Sequence, residues 1–166
     1  SRSQAGFSFI ELMVGMLVMG ILAAIAFPAY SLYQRRTRST EATSNLGAIF
    51  RNAASYYVQQ RTDSRSVTVT GAGSCIVGPT DGTIPATPSP VRAHADFSAD
   101  DSFRAIGFSV SDQVMYAYGI DSPGATCGIS ASTNEVYTIY AEGDLDGDAV
   151  ISRYELAVGT DSANQL

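Results

Sequence analysis

The sequence predicts an α+β fold in which one long N-terminal helix packs on a small antiparallel β-sheet. Three observations support this prediction. An apolar run near the N-terminus continues into a segment with apolar residues at helical spacing. A stretch rich in Ser, Thr, Gly and Pro follows it. Three runs of β-branched and aromatic residues then complete the chain, and such runs are typical of strands.

The N-terminal helix is predicted to extend from about residue 8 to about residue 60. Residues 7–29 are almost entirely apolar, and a run of about 20 such residues is long enough to span a bilayer. Gly20 and Pro28 weaken the helix, so we expect the segment between them to bend or unwind most easily. Beyond the run, apolar residues recur at three- and four-residue steps and predict one buried face: Ala42, Leu46, Ile49, Phe50, Ala53 and Tyr57.

The rest of the chain is predicted to form a connecting region and then the sheet. Residues 62–102 are interpreted as an irregular segment on the surface. The predicted strands cover Gln113–Ile120, Glu135–Ala141 and Val150–Val158, in a sheet from about residue 104 to about residue 160. The polar run EGDLDGDA predicts a tight turn between the last two strands.

The composition excludes several classes of function. The formal net charge is −6 and the 10 basic residues are all Arg, so we expect no specific nucleic-acid partner, because phosphate binding needs a basic face. The chain has one His, no Gly-x-Ser-x-Gly motif and no phosphate-binding glycine loop. We therefore expect no catalytic residues and predict that the protein is not an enzyme.

The two cysteines, Cys75 and Cys127, lack the Cys-x-x-Cys spacing of a metal ribbon. If this part of the chain is exported, a disulfide between them is the simple interpretation. Closing a loop of this length contributes about 4 kcal/mol to stability. The alternative is a pair of unrelated reduced thiols.

Glu11 is the only charged residue in the apolar run. A carboxylate in bilayer hydrocarbon costs about 2.5–3.5 kcal/mol on insertion scales, and the run contains no Lys, Arg or His that could pair with it. The sequence therefore predicts that the partner of Glu11 comes from elsewhere. The alternative is a carboxylate near the membrane surface that reaches water.

The residues around the apolar run bear on processing and orientation. An ordinary signal peptide has a short apolar stretch and then a small-residue cleavage site. Here SRSQAG precedes the apolar run, so cleavage at Gly6 would retain the run. Arg35, Arg36 and Arg38 follow the run and only Arg2 precedes it. The positive-inside rule alone would therefore put the C-terminal side in the cytoplasm.

The segment GFSFIELMVGMLVMGILAAIAFPAY resembles the start of a type IV prepilin, specifically of the type IVa class with a mature N-terminal Phe. The matching positions are Gly6, Phe7, Glu11, Gly20 and Pro28, and Ser8 and Phe9 stand where the family usually has Thr-Leu. The resemblance is strong over residues 6–60. It implies that prepilin peptidase cuts between Gly6 and Phe7 and that Phe7 becomes N-methylated.

The resemblance also implies an organisation, a location and partners. It implies the type IV pilin fold with a leader at 1–6, a transmembrane and filament-core segment at 7–30 and an exported globular domain at 31–166. The precursor is expected in the inner membrane with the C-terminal domain in the periplasm, and the mature subunit in an extracellular fimbrium. The expected partners are further copies of this chain in a helical homopolymer, the inner membrane, prepilin peptidase and the pilus assembly machinery.

The resemblance gives Glu11 a role in assembly. Cleavage exposes a positively charged amine at Phe7, which can reach the Glu11 carboxylate of a neighbouring subunit, and a pair in low dielectric is strong. The first hypothesis is therefore the major pilin of a type IVa pilus, a filament that serves functions such as cell adhesion or twitching motility. The alternatives are a pseudopilin of a type II secretion system, a minor pilin, or a membrane-anchored periplasmic domain that does not polymerise.

The segment DLDGDAVISRYE suggests one candidate cofactor, Ca²⁺. Asp144, Asp146, Asp148 and Glu155 fall at positions 1, 3, 5 and 12 of a calcium-loop pattern. However, Ala149 stands where that pattern needs Gly, and the flanking residues resemble strands rather than helices. The alternative is a hairpin turn in which Asp side chains bond their own backbone. No other cofactor is expected.

Overall fold

The computed structural model describes residues 6–59, 75–124, 136–161 and 165–166, and the chain divides into two compact units, Ser1–Thr37 and Arg38–Leu166. The helices are α1 (Phe9–Val58), a short 3-10 helix (Phe97–Ala99) and α2 (Asp101–Ile106). The strands are β1 (Ala117–Asp121), β2 (Tyr137–Gly143) and β3 (Ser152–Val158). One long helix and an antiparallel sheet of three strands confirm the predicted α+β fold. The predicted boundary after residue 30 stays a prediction.

Helix α1 confirms the predicted long N-terminal helix, with 50 residues from Phe9 to Val58. In the first unit all of its side chains are exposed. Pro28 lies inside the helix, and the Ser31 hydroxyl donates a hydrogen bond to the Pro28 carbonyl oxygen at 2.9 Å. By length and composition, α1 is the one helix in the described ranges that could cross a membrane.

The core of the second unit lies between the amphipathic part of α1 and one face of the sheet. Five of the six predicted residues of α1 are buried, and Phe50 is only partly buried. The facing side chains of the sheet are Tyr118, Ile120, Tyr137, Ile139, Ala141 and Val158, all buried. Phe97 extends this core, because its ring lies 5.1 Å from that of Phe103 and 4.9 Å from that of Phe108, centre to centre.

Strand β2 is central and pairs with both neighbours in antiparallel fashion. Ile139 of β2 lies opposite Ile120 of β1 and Leu156 of β3, which brings apolar side chains of all three strands to the same face. Strand β1 begins later than predicted. The reason is that Val114 exchanges two backbone hydrogen bonds of 2.9 Å with Ala93 and does not pair with β2.

The predicted start of the sheet at about residue 104 is wrong, because Asp101–Ile106 form α2 and the first strand begins at Ala117. Local capping explains this helix. The Asp100 carboxylate accepts hydrogen bonds from the N–H groups of the first turn at 2.8 and 3.1 Å. Gly107 ends the helix in the left-handed conformation, at φ 68°.

Part of the predicted surface connection belongs to the core. Cys75, Ile76 and Val77 are all buried. The segment that follows them runs along the outer edge of β1, where the Thr80 N–H donates to the Ile120 carbonyl at 2.9 Å. The interpretation of residues 62–102 as a surface segment is therefore wrong for this part, and residues 62–74 lie outside the described residues.

Candidate functional site

The predicted processing site precedes α1 directly. Gly6 and Phe7 are exposed and lie outside the helix, which begins at Phe9. The Phe7 side chain is 87% exposed, so the peptide bond before it lies at an accessible, non-helical part of the chain. The first five residues of the predicted leader lie outside the described ranges.

Glu11 has a hydrogen-bond partner in its own chain. Its Oε2 atom accepts from the Ser8 backbone N–H at 3.4 Å, and the Ser8 hydroxyl oxygen accepts from the Glu11 N–H, also at 3.4 Å. This reciprocal arrangement is a capping box, in which a Ser before the helix and a Glu three residues later satisfy two N–H groups. These bonds do not neutralise the charge of Glu11, so the expectation that a cationic partner comes from elsewhere stays a prediction. The Ser-x-x-Glu spacing was the sequence signal for the capping box.

The capping box holds the Glu11 carboxylate at the N-terminal end of α1, where the helix dipole favours negative charge. Both hydrogen bonds are long and exposed, so each is weak. A cleavage between Gly6 and Phe7 would create an amine one residue before Ser8. A carboxylate held by such weak bonds is available to a stronger, charged donor.

The apolar half of α1, residues 9–29, contains most of the large apolar side chains that are exposed in the described residues. No residue of its most apolar window is buried, and exposure is 79% at Phe9, 72% at Met19 and 79% at Phe27. A soluble monomer rarely exposes a continuous apolar surface of this kind. Gly20 and Pro28, predicted to be points of flexibility, both lie inside the helix, and the flexibility itself stays a prediction.

The acidic turn, residues 144–151 between β2 and β3, brings three predicted ligands together. Carboxylate oxygens of Asp144, Asp146 and Asp148 lie within 4.8 Å of one another. The same side chains also bond the backbone of the turn. Asp144 accepts from the N–H of Gly147 at 2.7 Å, and Asp148 accepts from that of Val150 at 2.9 Å. Both interpretations made from the sequence, an ion site and a hydrogen-bonded turn, fit this geometry.

The fourth predicted ligand, Glu155, lies in β3 and is not part of this group of carboxylates. It lies opposite Tyr140 and pairs with the Arg153 guanidinium, which also binds Glu142 at 2.8 Å. Ala149 adopts φ 64°, the left-handed conformation for which calcium loops use Gly. The turn therefore has the backbone shape of that position without its usual residue.

Several contacts that the sequence did not indicate join α1 to the acidic turn and to the segments around Arg92 and Met115. The Arg38 guanidinium donates to the Leu145 carbonyl oxygen at 3.5 Å, and the Leu145 side chain packs against the core. A few residues later in α1, Glu41 accepts from the Met115 N–H at 2.7 Å and pairs with Arg92 at 3.3 Å. These contacts join residues distant in sequence, so no local pattern predicts them.

The predicted disulfide stays a prediction. Cys75 is buried, at 3% exposure, and Cys127 lies outside the described residues.

Comparisons with known proteins identify the N-terminal segment. Residues 1–27 match the family model of the prokaryotic N-terminal methylation motif. The chain is similar to a fimbrial protein of Pseudomonas aeruginosa, with 48% identity over 48 residues, which cover 29% of this chain and 31% of that protein. It is also similar to the type IV major pilin protein PilA of Myxococcus xanthus, with 40% identity over 55 residues, 33% of this chain and 25% of that protein.

A longer match is to the type IV major fimbrial protein FimA of Dichelobacter nodosus, with 36% identity over 77 residues, 45% of this chain and 42% of that protein. The chain therefore spans less than half the length of the relatives it matches. No solved structure matches it significantly. The chain thus combines a prokaryotic N-terminal methylation motif with a long apolar helix and an α+β fold. Over its N-terminal part, the chain is similar to type IV pilins and fimbrial proteins.

Proposed function

We propose that this protein is the structural subunit, the major pilin, of a type IVa pilus. One observation carries the proposal: the apolar half of α1 is entirely exposed in the single chain. That surface needs either a bilayer or other copies of itself, because burial of apolar area stabilises by about 25 cal/mol per Å². A filament provides such burial once the subunit leaves the membrane, and the names of the relatives as pilins and fimbrial proteins support this function.

The proposed mechanism begins with cleavage between Gly6 and Phe7 and methylation of the Phe7 amine. The precursor lies in the inner membrane with the second unit in the periplasm, and prepilin peptidase and the assembly machinery are its partners. On docking, Glu11 releases the Ser8 N–H and pairs with the amine of a neighbouring copy. The exchange is favourable, because an ion pair in low dielectric is stronger than an exposed 3.4 Å hydrogen bond.

Replacement of Glu11 tests this proposal. We expect E11A to remain in the membrane as processed subunit but to yield no surface filaments, because the docking partner of the amine is lost. The conservative variant E11D keeps the charge and should retain part of the filament yield. Electron microscopy of sheared surface material and N-terminal sequencing give the readout. Wild-type filament yield from E11A, or native protein that retains SRSQAG, would contradict the proposal.

The alternative functions in the same family are a pseudopilin of a type II secretion system and a minor pilin. Both would use the same processing and the same Phe7–Glu11 pair. Composition of the filaments separates them from a major pilin. Sheared surface fibres made mainly of this chain support the major pilin, whereas fibres that contain it at trace level support a minor component.

We also propose that the acidic turn binds one Ca²⁺ ion. The supporting observation is that the three Asp carboxylates lie within 4.8 Å of one another, next to a backbone position at φ 64°. Carboxylate oxygens are the ligands that Ca²⁺ prefers. In this proposal Asp144, Asp146 and Asp148 supply the ligands, and Glu155 contributes only if it leaves Arg153.

A further inference from the structure

The second unit exposes few large apolar side chains. In its described ranges they are Val58, Val91, Val150, Ile151 and Leu156. Val91 is 69% exposed, Val150 71% and Ile151 50%. These three residues belong to two segments that lie side by side. Pro90 lies beside Gly147 of the acidic turn. Its Cγ atom is 3.5 Å from the position that a Cβ atom on Gly147 would occupy. We name Pro90, Val91, Val150 and Ile151 the apolar rim.

The apolar rim lies where α1 enters the second unit. Arg38, the first residue of that unit, donates to the carbonyl of Leu145 in the acidic turn at 3.5 Å. One turn later, Glu41 pairs at 3.3 Å with Arg92, the residue after Val91. Both segments of the rim are therefore attached to the first turn of α1 inside the unit. Because the rim is held in place before binding, docking would cost little ordering entropy.

The surroundings of the rim indicate its partner. Asp146 and Asp148 beside it are exposed, so the surface combines apolar and acidic groups. Just before Arg38, exposed side chains of α1 combine apolar and basic groups instead: Leu32, Tyr33, Arg35 and Arg36. Residues 32–36 of one copy therefore complement the rim of another copy. Both surfaces carry apolar side chains, and the basic groups of one would face the acidic groups beside the other. This complementarity does not require any of these charges to be unpaired in the single chain.

We infer that the apolar rim is a second subunit interface, which docks on residues 32–36 of α1 in a second copy of this chain. The inference rests on the proposed filament and names a contact between subunits that is separate from the apolar half of α1 and from Glu11. The apolar side chains supply the attraction and the neighbouring charges favour the correct partner surface. The rim would then fix how the globular units of neighbouring subunits meet.

The test uses the full chain expressed in cells, with the share of subunit found in sheared surface filaments as the readout. The rim variant is V150S/I151S, and a second variant, V91S, changes the other segment. V58S is the matched control, since Val58 is 75% exposed and is the last residue of α1. We expect both rim variants to lower the filament share about tenfold, which corresponds to about 1.4 kcal/mol, and V58S to leave it unchanged. N-terminal processing should be normal in all three.

A thermal melt of each variant separates docking from folding, because exposed side chains should leave the melting temperature unchanged. If V150S/I151S has a lower melting temperature than the wild type, the filament share of V91S tests the inference instead. A wild-type filament share in a variant that folds normally overturns the inference, as does an equal loss in V58S. A wild type that forms no filaments, or filaments that do not need Glu11, would instead refute the proposed function. The two failures are therefore distinguishable.

Discussion

Glu11 forms two weak hydrogen bonds with Ser8 at the start of α1 and no ion pair that the structure describes. Its carboxylate accepts from the Ser8 N–H, and the Ser8 hydroxyl accepts in return, both at 3.4 Å. A carboxylate held in this way remains available to a stronger partner, because a charge-assisted contact outweighs a long neutral one. A search for a basic side chain misses such a partner, since the donor is a backbone N–H that every residue except Pro carries.

Three buried tyrosines make the second unit sensitive to alkaline pH. Burial raises the pKa of Tyr116 and that of Tyr137 to about 12, and it also raises the pKa of Tyr118. Between about pH 10 and pH 12 the unfolded chain loses these protons and the native state keeps them, so the free energy of unfolding falls as pH rises. We expect stability to be unaffected by these groups below about pH 10.

The variant Y116F/Y137F tests this expectation. In the described residues, neither hydroxyl has a hydrogen-bond partner, so removal should cost little at neutral pH. It should also reduce the loss of stability between pH 8 and pH 11, measured by urea unfolding. Y118F is the comparison, because the Tyr118 hydroxyl accepts from Asn45 at 2.8 Å, and its loss should cost about 1 kcal/mol. Equal pH dependence in wild type and in Y116F/Y137F would contradict the assignment.

Ala149 carries backbone strain that a single substitution can relieve. It adopts φ 64°, which costs a residue with a Cβ about 1–2 kcal/mol, whereas Gly adopts it readily. We expect A149G to raise the melting temperature by about 2–5 °C. The matched control is A86G, at an exposed position of the neighbouring loop that is not among the strained residues. An unchanged or lowered melting temperature in A149G would show that the turn adopts another conformation in solution.

The acidic turn is the element whose function a titration can decide. If it binds Ca²⁺, the ion stabilises the folded state by about 2.7 kcal/mol at a concentration 100-fold above its dissociation constant. We expect millimolar Ca²⁺ to raise the melting temperature and EDTA to reverse the rise. D148N should reduce the effect, whereas D112N, an exposed Asp elsewhere in the chain, should not. No shift at millimolar Ca²⁺ would leave the turn as a hydrogen-bonded hairpin connection.

The segment between α1 and β1 shows why composition is a poor guide to burial. The Ser, Thr, Gly and Pro content of residues 62–102 predicts a surface segment, yet Val77 and Phe97 within it are each 1% exposed. Short-range capping by Asp96 and Asp100 folds the chain locally, and the apolar residues between the caps then reach the core. The Asp96 carboxylate also has a lowered pKa, because Ser98 donates two hydrogen bonds to it.

Across the molecule, the two units differ in burial: the first is exposed throughout its part of α1, and the second contains the core. Every buried residue of the described core lies at Ala42 or beyond. The core of the second unit is therefore formed by its own residues. In the proposed function, the exposed apolar half of α1 contacts first the membrane and then other subunits.

A fragment of residues 38–166 should therefore fold independently. We expect it to unfold cooperatively and to remain monomeric without detergent, because the exposed apolar helix has been removed. Near-UV circular dichroism with a thermal melt and light scattering provide the measurement. The processed full chain, which keeps that helix, should require detergent under the same conditions. A fragment without a cooperative transition would show that the first unit contributes to folding.

Much of the fold follows from periodicity. Helix α1 ends within two residues of its predicted limit, since apolar residues at helical spacing continue to Tyr57. The β2–β3 hairpin follows in the same way from β-branched residues on either side of a polar turn. The prediction of strand β1 was less accurate, because Val114 resembles a strand residue but pairs with Ala93 outside the sheet.

The sequence by itself determined the long helix, its apolar half, the processing motif and the hairpin, because each depends on residues close together in the chain. Only the tertiary structure decided that Arg38 and Glu41 hold the acidic turn and the Arg92 segment, and that Glu155 pairs with Arg153 rather than with the Asp cluster. The contacts of Arg38 and Glu41 join groups up to 107 residues apart, and no local pattern encodes them. The apolar rim arises from the same long-range packing.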